Sequence, residues 1–157
     1  MVKTLQSHTQ GRGKKMAIVV SRFNDFVTKR LLEGCLQELE RCGVEEKNIT
    51  VVWVPGSYEI PLTALTLAKK KNIDAVICLG AVIRGETFHF ELIARAAAEG
   101  ILQASLLSGK PVIFGVLTTD TVAQAYKRSE KKGDNKGRDA AGSALQMIEL
   151  LSQIKKN

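Results

Sequence analysis

The sequence predicts a three-layer α/β sandwich: a four-stranded parallel sheet flanked by helices. Two observations carry this expectation. Four short, nearly continuous apolar runs occur: MAIVV at 16–20, ITVVWV at 49–54, DAVICLGAVI at 74–83 and PVIFGVLTT at 111–119. Such runs are typical of strands covered on both faces. Each is followed by a stretch with helical spacing, and strand–helix alternation builds a parallel sheet with right-handed crossovers. A length of 157 residues suits one domain with a proper core.

Residues 1–15 hold too few apolar side chains to pack and read as an arm, which leaves 16–157 as the domain. SRFND breaks the first strand, and Asn24 or Asp25 is placed to cap a helix. Phe26, Leu31, Leu32, Cys35, Leu39 and Cys42 keep helical spacing along it, and Gly43 ends it. PGSYE closes the second strand, and IPLTALTLAKKK runs on as a helix with lysines in its last turn. RGETFH is the corner after the third strand, and the next helix reaches about Leu107 before SGK. After the fourth strand Asp120 is placed to cap TVAQAYKRSEKK, GDNKG is a loop, and RDAAGSALQMIELLSQIKK is the terminal helix.

The third helix carries a narrow polar stripe, Glu91, Arg95, Glu99 and Gln103 at i, i+4 spacing, in which Glu–Arg–Glu supplies helical ion pairs. Leu92, Ile93, Ala97, Ile101, Leu102, Leu106 and Leu107 cover much of the remaining girth. A helix so widely apolar needs burial on two sides. Its own sheet offers one, and a second subunit or an intramolecular partner helix offers the other.

Composition excludes several classes. No apolar run reaches the roughly 18 residues of a membrane span. The N-terminus is polar, without the apolar core of a secretory signal, so the cytoplasm is the expected compartment. Cys35, Cys42 and Cys78 have no metal-type spacing and read as reduced thiols. The formal charge is +7, yet no basic–aromatic interleaving accompanies it, which argues against nucleic acid and for a solvated basic surface or small anionic ligands. Dinucleotide, Walker, CxxC, HExxH and GxSxG motifs are absent.

SRFND, PGSYE, RGETFH and TTD all follow the carboxyl ends of strands, the edge where open α/β sheets bind ligands. RGETFH is the sharpest of the four. Gly85 allows close approach of the backbone, and Glu86, Thr87 and Phe88 offer amides at a helix start, which favours an anion and phosphate above all. His89 then falls in the first turn, where the dipole disfavours imidazolium. A neutral imidazole can accept a proton. The plainer reading is a buried histidine hydrogen-bonded at a helix start. Phe23 can stack on a flat heterocycle or simply pack. Ser57 and the PGSYE amides can offer hydrogen bonds, and Glu59 can accept them or merely help to start a helix. Arg128 and Lys136 flank a basic loop and can clamp phosphate or stand as solvated charges.

SRFND, VPGSYEIP, GAVIRGETFHFE, AAAEGI, PVIFGVLTTDT and NKGRDAA together resemble the lumazine synthase (6,7-dimethyl-8-ribityllumazine synthase) family, in order and spacing, over about residues 14–153. The resemblance implies a flavodoxin-like fold. It also implies a condensation in riboflavin biosynthesis: 5-amino-6-(D-ribitylamino)uracil joins 3,4-dihydroxy-2-butanone 4-phosphate, with release of phosphate and water and without metal or organic cofactor. Phe23 would stack on the pyrimidine. Asn24, Gly56, Ser57 and Glu59, with backbone at Val82 and Ile83, would hold its ring edge and ribityl chain. Gly85, Glu86 and Thr87 would receive the phosphate, Arg128 would complete the clamp, and His89 would transfer protons. Phe114, Arg128 and Lys136 would come from the adjacent chain of a pentamer, or of a shell of twelve pentamers; the short EKKGDNKG loop lacks the insertion associated with free pentamers and so resembles the shell-forming type. Tyr58 stands where the family often has Phe or Trp, and packing is its expected role. A riboflavin synthase of the archaeal type, or a flavin-binding shell protein without activity, are the alternatives on the same scaffold. RGET with Arg128 speaks against the first, and the intact set of Phe23, Glu59, His89 and Arg128 against the second.

Overall fold

The computed structural model describes all residues, 1–157. Four strands, β1 (Met16–Ser21), β2 (Ile49–Val54), β3 (Ala75–Ile83) and β4 (Val112–Thr119), form one parallel sheet in the order β2-β1-β3-β4. β1 is buried along its whole length and β3 along all but its last residue, as the continuous apolar runs require of central strands. Helices α1 (Asp25–Arg41), α2 (Ile60–Ala68), α3 (His89–Ser108), α4 (Val122–Lys127) and α5 (Lys136–Lys156) complete the chain.

Side chains alternate across the sheet and so build two cores. Met16, Ile18, Val20, Ile77 and Leu79 face α1 and α5, where Leu31, Leu39 and Leu145 meet them. Ala17, Val19, Val76 and Cys78 face α2 and α3, where Ile60, Ala64 and Ile101 meet them. Each of the Val, Leu, Ile and Met side chains among them contributes about 1.5–3 kcal/mol when fully buried, so the layered arrangement follows from the pattern of the strands. Glycines let elements approach closely. A Cβ on Gly137 of α5 would stand 1.9 Å from the Leu31 carbonyl oxygen of α1.

Several local expectations are corrected. Neither Asn24 nor Asp25 caps α1 with its side chain. Asn24 occupies the cap position at φ 62° without a capping bond, and Asp25 pairs with Lys29 at 3.1 Å. α2 stops at Ala68, the last buried residue of its run, so Lys69, Lys70 and Lys71 follow the helix instead of forming its last turn. A 3-10 turn, Ser57–Glu59, precedes it. Asp120 does not cap α4. Thr121 does, accepting from the Gln124 N–H at 3.1 Å, and the helix runs only to Lys127. α5 starts two residues earlier than its apolar spacing suggests, because buried Asn135 accepts from the N–H groups of Gly137 and Arg138 at 2.9 and 3.1 Å. The arm is held more firmly than its composition implies. Gly11 donates to the Cys42 carbonyl at 2.9 Å, His8 N–H donates to Glu149 at 2.6 Å, and Gln153 donates to the Gln6 carbonyl at 2.8 Å, which lays the arm along α5. Cys35 and Cys78 are fully buried and Cys42 partly; all three are free thiols. No helix is long and apolar enough to cross a membrane.

Candidate active site

The strand order places the ends of β2, β1 and β3 side by side, and backbone bonds join the corners beyond them. Arg22 N–H donates to the Val54 carbonyl at 2.8 Å and Phe23 N–H to the Pro55 carbonyl at 3.0 Å. Between these corners and the first turns of α3 lies a cavity of about 600 Å³, a size that accepts small molecules rather than a polymer. Phe23 stands at one side, exposed over 72% of its surface. Gly56, Ser57 and Glu59 form the wall from the corner after β2, Val82 and Ile83 the floor from β3, and Gly85, Thr87 and His89 the far side. The structure therefore brings these nine expected residues to one space.

Glycine and serine set the shape of the near wall. Ser57 is buried, and a Cβ on Gly80 of β3 would stand 2.7 Å from its hydroxyl. A Cβ on Gly56 would stand 3.1 Å from Glu59 Oε2, so the glycine leaves room for that carboxylate. Asn24 does not line the cavity. Its side-chain amide donates to the Ala81 carbonyl at 2.8 Å and ties the corner after β1 to β3.

The corner after β3 differs from its expected form. α3 begins at His89, with Phe88 as an uncapped N-cap, so Glu86 and Thr87 precede the helix instead of opening it. The N–H groups of Gly85, Glu86, Thr87 and Phe88 have no hydrogen-bond acceptor within the chain. His89 N–H makes only a long contact, 3.4 Å, to the Thr87 hydroxyl. Four uncommitted amides ahead of a 20-residue helix form a concentrated set of donors for an anion. Gly85, Thr87 and His89 share the cavity wall, while the Glu86 side chain is exposed outside it. A ligand phosphate at this corner would thus lie beside an imidazole.

Sequence reasoning passed over other wall residues. Tyr58, expected to pack, is exposed over 64% of its surface and lines the cavity, as do Pro55, Ala81, Phe90 and Ile93. Apolar walls have the same residue types as a core, so no local pattern marks them. Arg84, the residue after β3, was also overlooked. Its Nε donates to Asp120 at 2.7 Å, one terminal nitrogen donates to Glu91, and its guanidinium lies 4.4 Å from the Phe90 ring centre. The bonds to Asp120 and then Glu91 raise the Arg84 pKa, and the bond from Arg84 holds the Glu91 carboxyl below its ordinary range. The expected helical ion pairs of the polar stripe do not form: no ion pair joins Arg95 to Glu91 or Glu99. Glu91 turns back to Arg84 instead.

Phe114, Arg128 and Lys136 lie elsewhere in the same chain. Phe114 and Lys136 border a second cavity of about 240 Å³ between β4 and α5, with Asp139 and Ser143. Lys136 sits 3.3 Å from Asp139 and 3.4 Å from Asp134, and the bond to Asp139 raises its pKa. Half-buried Arg128 donates to the Gln124 carbonyl at 3.0 Å. No group of three or more His, Cys, Asp or Glu side chains converges anywhere in the chain to hold a metal ion.

Comparison with known proteins places this geometry. Residues 13–152 match the family model described as 6,7-dimethyl-8-ribityllumazine synthase. The chain is 54% identical over 140 residues to a 6,7-dimethyl-8-ribityllumazine synthase of Protochlamydia amoebophila (strain UWE25), covering 89% of this chain and 81% of that protein. It is 53% identical over 150 residues to one of Syntrophus aciditrophicus (strain SB), covering 93% of this chain and 97% of that protein. The chain belongs to the 6,7-dimethyl-8-ribityllumazine synthase family.

Proposed function

We propose that this chain catalyses the transferase step that the family name describes, in riboflavin biosynthesis. It forms 6,7-dimethyl-8-ribityllumazine from 5-amino-6-(D-ribitylamino)uracil and 3,4-dihydroxy-2-butanone 4-phosphate. One observation carries the reading: a stacking aromatic, a buried hydroxyl and a carboxylate share a single cavity with uncommitted amides and an imidazole. A flat heterocycle fits the first group and a phosphate the second.

In this reading the pyrimidine stacks on Phe23, and Glu59, Ser57 and the Val82–Ile83 backbone take its polar edge and ribityl hydroxyls. The phosphate docks on Gly85, Glu86 and Thr87. The uracil's 5-amino nitrogen then attacks the ketone carbon, and water leaves to give an imine. His89 accepts the proton lost from carbon as the C–O bond to phosphate breaks. The resulting enol rearranges, and the ribityl-bearing nitrogen closes the ring with loss of a second water. Proton transfers between positioned atoms need one neutral base, and much of the acceleration comes from holding two substrates in contact.

The site is completed by a second copy. Phe23 and Tyr58 line the cavity yet are largely exposed, while Phe114, Arg128 and Lys136 lie apart from it in their own chain. On α3, Leu92, Leu102, Leu106 and Leu107 are 57–73% exposed, an apolar face of the kind that subunits cover. We place these chains in a pentamer, alone or as one of twelve in a shell, in the cytoplasm. The deciding experiment mixes the protein with both substrates and follows lumazine fluorescence and released phosphate together. Equal amounts of lumazine and phosphate support the reading, and neither product at high enzyme concentration removes it. Native mass distinguishes pentamer from shell.

A further inference from the structure

The four amides at Gly85–Phe88 pose a mechanical problem. A segment that presents its N–H groups to a ligand cannot also use them to hold itself in place. None of the four is spent within the chain, and the helix beyond lacks a side-chain cap. Such a corner, left alone, would sample many shapes, and a ligand would have to order it on binding.

We infer that Arg84 is the positioning residue for this corner: shared between Asp120 and Glu91 and laid on Phe90, it holds the Gly85–Phe88 segment and the first turn of α3 ready for an anion. This rests on reading the corner as the phosphate site. Arg84 is itself anchored, since its N–H donates to the Thr119 carbonyl at 2.8 Å and extends the β3–β4 pairing. Glu91 is the third residue of α3, so the Arg84–Glu91 pair bridges from one end of the corner to the other. Asp120 belongs to the next corner, just before the cap of α4, so the same guanidinium also sets the two corners relative to each other. Phe90, under the guanidinium, lines the cavity next to His89.

Ordinary exposed ion pairs contribute little. This one is a planar fork divided between two carboxylates on separate elements and stacked on an aromatic face, which makes it directional. Arg84 does not serve as the anion's own counter-charge. One guanidinium against two carboxylates leaves the trio net negative, so its contribution to anion binding comes through the geometry of the amides.

The test compares the parent with Arg84→Gln, Arg84→Lys and Glu91→Gln, and with the double variant Arg84→Gln/Glu91→Gln. The expected result is a rise in the KM for the phosphate ester on the order of tenfold in Arg84→Gln, with the uracil KM close to the parent's. Arg84→Lys does not restore it, because an ammonium cannot fork. Glu91→Gln moves the same constant in the same direction, and the double variant is no worse than Arg84→Gln alone, as coupled partners require. Inorganic phosphate, followed through the backbone amide resonances of Gly85, Glu86 and Thr87, weakens in parallel and needs no turnover. Where Arg84→Gln folds poorly, Arg84→Lys gives the same comparison. Folded variants with an unchanged phosphate-ester KM and unchanged phosphate binding overturn the inference, as does an equal loss for both substrates. A parent without turnover would instead count against the assigned reaction, while the phosphate titration still decides the role of Arg84.

Discussion

The Asn24 side-chain amide donates to the Ala81 carbonyl at 2.8 Å from a backbone held at φ 62°. Asn24 thereby accepts a conformation that most side chains avoid, and fastens the corner carrying Phe23 to the strand that leads to Gly85. Asparagine combines tolerance of that region with a donor long enough to reach β3.

Two substitutions separate these contributions. Asn24→Gly loses the bond but keeps the backbone unstrained, and is expected to cost about 1 kcal/mol. Asn24→Ala loses the bond and adds a left-handed alanine, for about 2–3 kcal/mol in all. Denaturant midpoints at matched protein concentration measure both, since association shifts apparent stability. Equal losses in the two variants would show that the backbone strain is absent.

His89 is the only imidazole on the cavity wall. His89→Ala is expected to lower kcat by about a hundredfold and to leave measurable turnover, because positioning two substrates supplies much of the rate. Steady-state kinetics with both substrates saturating gives the number. Parent-like kcat would remove the imidazole from the proton transfers.

Much of the fold was legible because its signals are local. The continuous runs of β1 and β3 mark central strands, and the corners at their carboxyl ends mark the cavity. Cap assignments failed where a side chain found a distant partner. Asn24 bonds a residue 57 positions away, and Arg84 takes Asp120 from 36 positions away, so neither choice is written in the neighbouring residues. Arg84 itself has no motif. Its importance arises only when three elements meet, and Tyr58, Phe90 and Ile93 stay hidden because a cavity wall and a core use the same side chains.

Gly137 and Gly142 lie in one helix and predict opposite outcomes. A Cβ at Gly137 would meet the Leu31 carbonyl oxygen at 1.9 Å and its carbonyl carbon at 2.7 Å, and backbone cannot give way as a side chain can. Gly137→Ala is expected to cost about 3 kcal/mol or more. A Cβ at Gly142 would meet nothing nearer than Thr9 at 4.0 Å, so Gly142→Ala stabilises by about 0.5–1 kcal/mol. Thermal melts of the two variants beside the parent check the signs.

Burial pushes the Cys35 and Cys78 thiols far above their ordinary value, so both stay protonated and covered in the folded protein. Thiol reagents at pH 8 are expected to label partly exposed Cys42 first, and the other two only on unfolding. Unfolded thiols ionise as pH rises past about 8.5 while the buried ones do not. The stability these two residues contribute is therefore fully present below that pH and declines above it. Mass spectrometry of labelled peptides, with and without denaturant, follows each thiol. Rapid native labelling at Cys78 would contradict its place in the sheet.

The separation of Arg128 from the cavity of its own chain leads to the most demanding prediction. Arg128→Ala alone is expected to raise the KM for the phosphate ester and leave kcat less affected, because a clamp that already holds the phosphate before it departs contributes to binding in the ground state as well as in the transition state. If that clamp comes from the neighbouring copy, His89→Ala and Arg128→Ala damage different contributions to each site. Refolding the two variants together at equal amounts then creates some sites that take an intact His89 from one chain and an intact Arg128 from the other. With random mixing in a ring, about a quarter of the sites recover both residues, since each is present with even odds. At phosphate-ester concentrations well below the KM of Arg128→Ala, activity of the co-refolded mixture should rise well above that of the two variants refolded separately and then combined. No such rise, in assemblies shown by native mass to be mixed, would place Arg128 in the same chain's site or outside the reaction altogether.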